Sequence, residues 1–126
     1  MRLERELAVS PEAAVQARRA LDALPPTGFP DGRLRDVRLL ISELVTNAVR
    51  HAKLAPGDRI RLIVDVDGSA LRVEVHDPGG GFVPREPAPD PERPSGWGLY
   101  LVAELADRWG VDSGDATLVW FEVDRG

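Results

Sequence analysis

Three polar residues recur at every fourth position of an otherwise apolar run: ELVTNAVRHA, residues 43–52, places a carboxylate at Glu43, a carboxamide at Asn47 and an imidazole at His51. At about 100° per residue they follow one border of a helix's apolar stripe. A carboxylate and a carboxamide one turn apart can work together, the amide oxygen as a neutral ligand to a hydrated cation and the carboxylate as proton acceptor for a hydroxyl. The same residues also suit a boundary role, with Glu43 paired to Arg38 or Arg50 and Asn47 capping a neighbouring loop. In HDPGGGF, Asp77 ends a strand, where its carboxylate can accept a hydrogen bond from an exocyclic amine such as that of adenine. Gly79 and Gly81 let the backbone approach a flat ligand, although Asp-Pro-Gly also opens ordinary turns. SGWGLYLV sets Gly96 and Gly98 at a helix entry, where free N–H groups and the helix dipole suit a phosphate; a flexible entry is the plainer alternative. Taken in order, these stretches supply metal, base, adenine and phosphate functions, and one nucleotide pocket accounts for all of them.

The elements that must position these groups follow from periodicity. RLERELAV alternates Leu3, Arg5, Leu7 and Val9 against charges, as a half-buried edge or interface strand does. A helix is expected from Ser10 as N-cap, with Pro11 and Glu12 in its first turn, and Pro25 and Pro26 end it. From Arg33, the spacing of Val37, Leu40, Ile41, Leu44, Val45, Ala48 and Ala52 predicts the longest helix. RIRLIVDV and ALRVEVHD read as strands joined by a tight turn at Asp67, Gly68 and Ser69. Residues 78–95 hold six prolines and three glycines and are expected to form a lid. GWGLYLVAELADRW resumes helical spacing, and ATLVWFEV is a closing strand. The expected fold is a single α/β (α+β) two-layer sandwich over residues 1–126, its mixed, mostly antiparallel sheet covered by helices on one face.

Composition narrows the function. The formal net charge of -5 argues against direct nucleic-acid binding, although fifteen arginines against one lysine leave room for local basic patches. With no cysteine there is neither a disulfide framework nor a thiolate site. No apolar stretch approaches the roughly 20 residues that span a bilayer, and the N-terminus lacks the layout of a signal peptide, so a cytoplasmic protein without membrane contact is expected.

The three boxes, in this order, resemble those of the GHKL family, the ATP-binding domain shared by histidine kinases, DNA gyrase, heat-shock chaperone ATPases and MutL. ELVTNAVRHA resembles its asparagine box, DPGGGF its first glycine box, GWGLYLV its second and TLVWFEV the closing strand near adenine. Within the family the chain looks most like the stand-alone anti-sigma-factor serine/threonine kinases. The resemblance implies the Bergerat ATP-binding fold, ATP and Mg²⁺ as cofactors, Asn47 as Mg²⁺ ligand and Glu43 as the carboxylate that activates the attacking hydroxyl. It further implies Asp77 at the adenine amine, Gly79 and Gly81 against the base, Gly96, Gly98 and Leu99 beneath the phosphates, Thr117 at the adenine, and a structural His51. A sigma factor, a STAS-type anti-sigma-factor antagonist and a second copy of the chain are the implied partners. With no separate dimerisation helix carrying a phospho-acceptor histidine, a complete sensor histidine kinase is not expected, and the chain is too short for the transducer domain of a gyrase-type ATPase. Many relatives carry an arginine inside the second glycine box where this chain has Trp97, which can only stack or donate one hydrogen bond; Arg85 or Arg93 in the lid are the nearest substitutes. A module that binds ATP without transferring phosphate, and acts by protein–protein contact, is the alternative.

Overall fold

A computed structural model describes residues 1–51, 57–78, 97–113 and 116–126. The elements run β1 (Arg2–Ala8), α1 (Ala13–Asp22), α2 (Asp31–His51), β2 (Arg59–Val66), β3 (Ala70–Asp77), α3 (Trp97–Leu105), β4 (Arg108–Ser113) and β5 (Thr117–Asp124). The strands form one five-stranded sheet in the order β1-β2-β3-β5-β4. All four pairings are antiparallel, so the sheet expected to be mixed has no parallel pair among the described residues. β1 lies on an edge of the sheet, as its charge alternation suggests.

Strand periodicity makes one face of the sheet apolar. Leu3 stands opposite Val64, Val64 opposite Val73, and Val73 opposite Phe121, so a buried row crosses four strands. Against it α2 sets Val37, Leu40, Ile41, Leu44, Val45 and Ala48, all buried, while α1 adds Ala13, Ala17, Ala20 and Leu21 and α3 adds Val102. The small residues of α1 bring its axis close to the sheet edge and to α2, where Arg18 donates to Ser42 Oγ at 2.8 Å and Arg38 pairs with Asp22 at 3.3 Å. The β2–β3 turn closes as its sequence predicts. Asp67 Oδ1 accepts from the backbone N–H of Ser69 at 2.7 Å and of Ala70 at 2.8 Å, an Asx turn that also holds the Asp67 carboxyl below its usual range.

Two boundaries differ from expectation. α1 starts at Ala13, not at Ser10 and Pro11. The Ser10 carbonyl accepts the Ala13 N–H at 3.1 Å, and residues 10–12 form a turn with no side-chain cap. Helix α3 ends at Leu105, and Arg108–Ser113, read in part as helix, is a strand. The Asp107 N–H bonds to the Glu122 carbonyl at 2.9 Å, and Trp109 comes opposite Phe121, so sheet pairing overrides the local helical spacing.

The other face of the sheet carries no helix among the described residues and is mostly polar, with Ile63 buried among its charged neighbours. Arg72 stacks over Trp120 at 4.2 Å from the ring centroid and also pairs with Glu74 at 3.0 Å and Glu122 at 3.4 Å. Trp120 stands opposite Gly110, where an added Cβ would meet the indole at 2.7 Å. Glycine at 110 is what allows the ring to lie down on β4.

Candidate functional site

The core is apolar except at one end. Asp77, 7% exposed, and Thr117, 3% exposed, are the buried polar side chains among the described residues. They are register partners, the last residue of β3 and the first of β5. Both share the parity of Val75, Val73 and Phe121, so they extend the helix-covered face. A carboxylate and a hydroxyl enclosed side by side need polar company, and together they offer one acceptor pair and one donor. Such a pair can accept a hydrogen bond from an amine and donate one to a neighbouring acceptor.

The neighbouring wall comes from α2. Glu43 and Asn47, one turn apart, are both half-buried, flanked inward by Leu44 and Ala48. Among the described residues the alternative structural roles of Glu43 and Asn47 are not seen. Arg38 is engaged by Asp22, and among the described residues Glu43 makes no ion pair and Asn47 makes no side-chain hydrogen bond. A half-buried carboxylate and amide in line, without structural partners, can take a hydrated cation and a hydroxyl proton.

Gly98 and Leu99 lie in the first turn of α3, directly after Trp97, so their backbone N–H groups belong to the unsatisfied set at a helix start. Arg33 of α2 reaches Asp107 beyond the far end of α3 at 3.5 Å and ties the two helices together. His51 is the last residue of α2. Gly79, Gly81 and Gly96, and all but the first residue of the lid expected over 78–95, lie outside the described residues. Sequence reasoning missed Ser113. It stands opposite Thr117 on β4, which makes Asp77, Thr117 and Ser113 successive positions across three strands at one end of the sheet. Alternation of Trp109, Val111 and Ser113 was the available signal, and it was hidden by reading this stretch partly as helix.

The fold is an α+β sandwich with an antiparallel five-stranded sheet and helices on one face. A family profile described as histidine kinase-like ATPase domain matches residues 7–122, and the chain belongs to that family. It is 33% identical over 97 residues to an anti-sigma F factor of Pasteuria penetrans, a match covering 68% of this chain and 65% of that protein. It is 32% identical over 103 residues to the serine-protein kinase RsbW of Bacillus licheniformis, covering 69% of this chain and 63% of the relative. The matched stretch thus spans a little under two thirds of either relative. Among solved structures, the histidine kinase domain from the blue-light activated histidine kinase of Erythrobacter litoralis superposes with a TM-score of 0.59 and 27% identity, covering 76% of this chain and 46% of that one. These findings bear out the family resemblance and the fold class. No helix among the described residues is long and apolar enough to cross a membrane.

Proposed function

We propose that the chain binds ATP with Mg²⁺ and transfers the γ-phosphoryl group to a serine or threonine of an anti-sigma-factor antagonist of the STAS type, while holding a sigma factor in its other state. The single observation that carries the nucleotide part is the enclosed Asp77–Thr117 pair at the end of an otherwise apolar core. In this reading Asp77 accepts the adenine amine, and Thr117 donates to a ring nitrogen or an ordered water beside it. Asn47 would hold Mg²⁺, a cation that takes few protein ligands and completes its shell with phosphates and water. When bound, that ion supplies charge neutralisation between the phosphates. The Glu43 carboxylate orients the acceptor hydroxyl and receives its proton, and the first-turn N–H groups of α3 accept the charge that develops on the phosphoryl oxygens. Catalysis in such a site is mostly positioning. The names of the two relatives support the sigma-factor and serine-kinase parts.

One observation favours a second reading. Trp97 opens α3, at the position where an arginine would neutralise phosphate charge. ATP binding without transfer, ordering a surface for a partner, follows from that substitution. Two measurements separate the readings. Calorimetric titration of Mg·ATP, with GTP as control, tests the pocket: selective binding by the wild type, lost in Asp77→Asn, is the expected result. Incubation with γ-labelled ATP and a folded antagonist then tests transfer. Label on the antagonist, abolished in Glu43→Ala with ATP binding retained, supports the kinase; binding without label supports the regulatory module.

A further inference from the structure

Along its outward ridge α2 presents Arg35, Leu39 and Glu43, one turn apart. Leu39 is 41% exposed, while every other large apolar residue of α2 is buried or half-buried. Arg35 is exposed too, and whereas Arg33 and Arg38 are engaged by Asp107 and Asp22, Arg35 makes no ion pair among the described residues. A cation, an apolar side chain and a carboxylate in line on a single rigid element form an ordered set of contacts.

We propose that this ridge is the track on which the phosphate-accepting polypeptide docks, with Leu39 and Arg35 as the residues that select its sequence; the proposal rests on the reading of Glu43 as the group that receives the hydroxyl proton. Four residues of helix rise about 6 Å, and two residues of extended chain advance about 6.6 Å. An extended segment laid along α2 therefore meets the ridge with every second side chain. Its hydroxyl stands at Glu43, an apolar side chain at Leu39 and an acidic one at Arg35. The occupant is an acidic extended loop of the form acidic-x-apolar-x-Ser/Thr, or the reverse order if it runs the other way. Past Glu43 the track leads to Thr46 and Arg50, which border a groove of about 330 Å³ between α2 and the start of α1. Arg50 is exposed and makes no ion pair among the described residues, so the groove favours a second acidic residue beyond the acceptor.

The probe is a set of nine-residue peptides with one central serine, assayed with Mg·ATP beside the folded antagonist. Peptides with Glu four residues and Leu two residues from the serine, on one side or the other, are expected to show a KM about tenfold below that of the alanine counterpart. Leu39→Ser should remove the gain from Leu, raising KM to that of the peptide with alanine at that position alone, with the loss in KM and not in kcat, and Arg35→Glu should turn the preference from Glu to Lys. Thermal melts establish that both variants fold. Equal KM for the two peptides, or a preference for Leu that survives Leu39→Ser, overturns the track while leaving transfer itself intact. Label on the antagonist but on no peptide overturns it as well. Label on neither means that the transfer reading fails and the track falls with it.

Discussion

The sheet and the helices turn two differently charged surfaces to solvent. On the open face of the sheet most arginines meet acids on their own or a neighbouring strand: Arg72 meets Glu74 and Glu122, Arg108 meets Glu122 and Asp124, Arg2 meets Glu4 and Asp65, and Arg61 meets Glu4. On the helix side Arg33 and Arg38 meet Asp107 and Asp22, whereas Arg19, Arg35 and Arg50 are exposed and none makes an ion pair among the described residues. The sequence holds similar residues in both places, so the difference is one of geometry. Flat strands bring opposite charges to fixed cross-strand positions, whereas successive turns of α2 carry charges outward, and those that do not lie beside α1 or the end of α3 meet no acid among the described residues. Paired charges specify register and add little to stability. Unpaired ones remain available to a partner and set its approach and specificity.

The sharpest way to break this division is on a single strand that has one residue on each surface. Asp77 faces the helices and His76 faces the open side, where it meets Glu74 at 2.8 Å. Asp77→Asn is expected to weaken ATP binding by about 100-fold or more, because a donor amide then replaces the enclosed carboxylate that we propose as acceptor of the adenine amine. His76→Ala should change it less than about twofold, since it alters only the solvated side. Calorimetry on both variants checks the contrast, and equal losses would mean that the pocket does not distinguish the two faces.

Next in size is the packing of the open face itself. Gly110→Ala places a methyl group against the body of the Trp120 indole, with three ring atoms within 2.9 Å of the new Cβ. The ring must move off β4 and loosen its contact with Arg72, at an expected cost of about 1–3 kcal/mol by urea denaturation. In a Trp120→Ala background the same change should cost much less, which a double-mutant cycle reads directly. By contrast, replacing Arg35 and Arg50 together with alanine should leave stability within about 0.5 kcal/mol, since neither is held by another side chain.

These contrasts also mark how far the sequence alone was legible. The core face of α2 was readable because its apolar spacing runs over many turns, and the β2–β3 turn because Asp67 carries its own hydrogen-bond chemistry. Asp77 was recognisable from its place at the end of an alternating run. Thr117 was marked by resemblance, and only the β3–β5 register brings it beside Asp77. β4 was hidden for a physical reason: Leu105 and Ala106 carry helical spacing up to Asp107, and what makes Arg108–Ser113 a strand is its pairing with β5. The two surfaces were likewise invisible, because whether an arginine finds an acid depends on which strands become neighbours.

The smallest expected effect is the pH dependence of the paired surface. Burial pushes the Glu74 carboxyl up, but hydrogen bonds from Arg72 and His76 outweigh it and leave the group below its usual range. The Arg108 guanidinium likewise holds the Asp124 carboxyl low. Groups depressed in the folded state bind protons more readily once unfolded, so their contribution is present above the ordinary carboxylate pKa of about 4 and is lost as pH falls through the lower folded values. Melting temperature should therefore be nearly flat between about pH 7 and pH 5 and decline below about pH 4.5. Combining Glu74→Gln with Asp124→Asn should make that acid decline shallower. Arg35→Ala with Arg50→Ala should keep the wild-type slope, because no carboxylate depends on either. The measurement is a series of thermal melts at low ionic strength, where surface pairs are least screened. Identical slopes in all three proteins would show that the cross-strand pairs carry no linkage, and the division between a self-paired face and an available one would then rest on geometry alone.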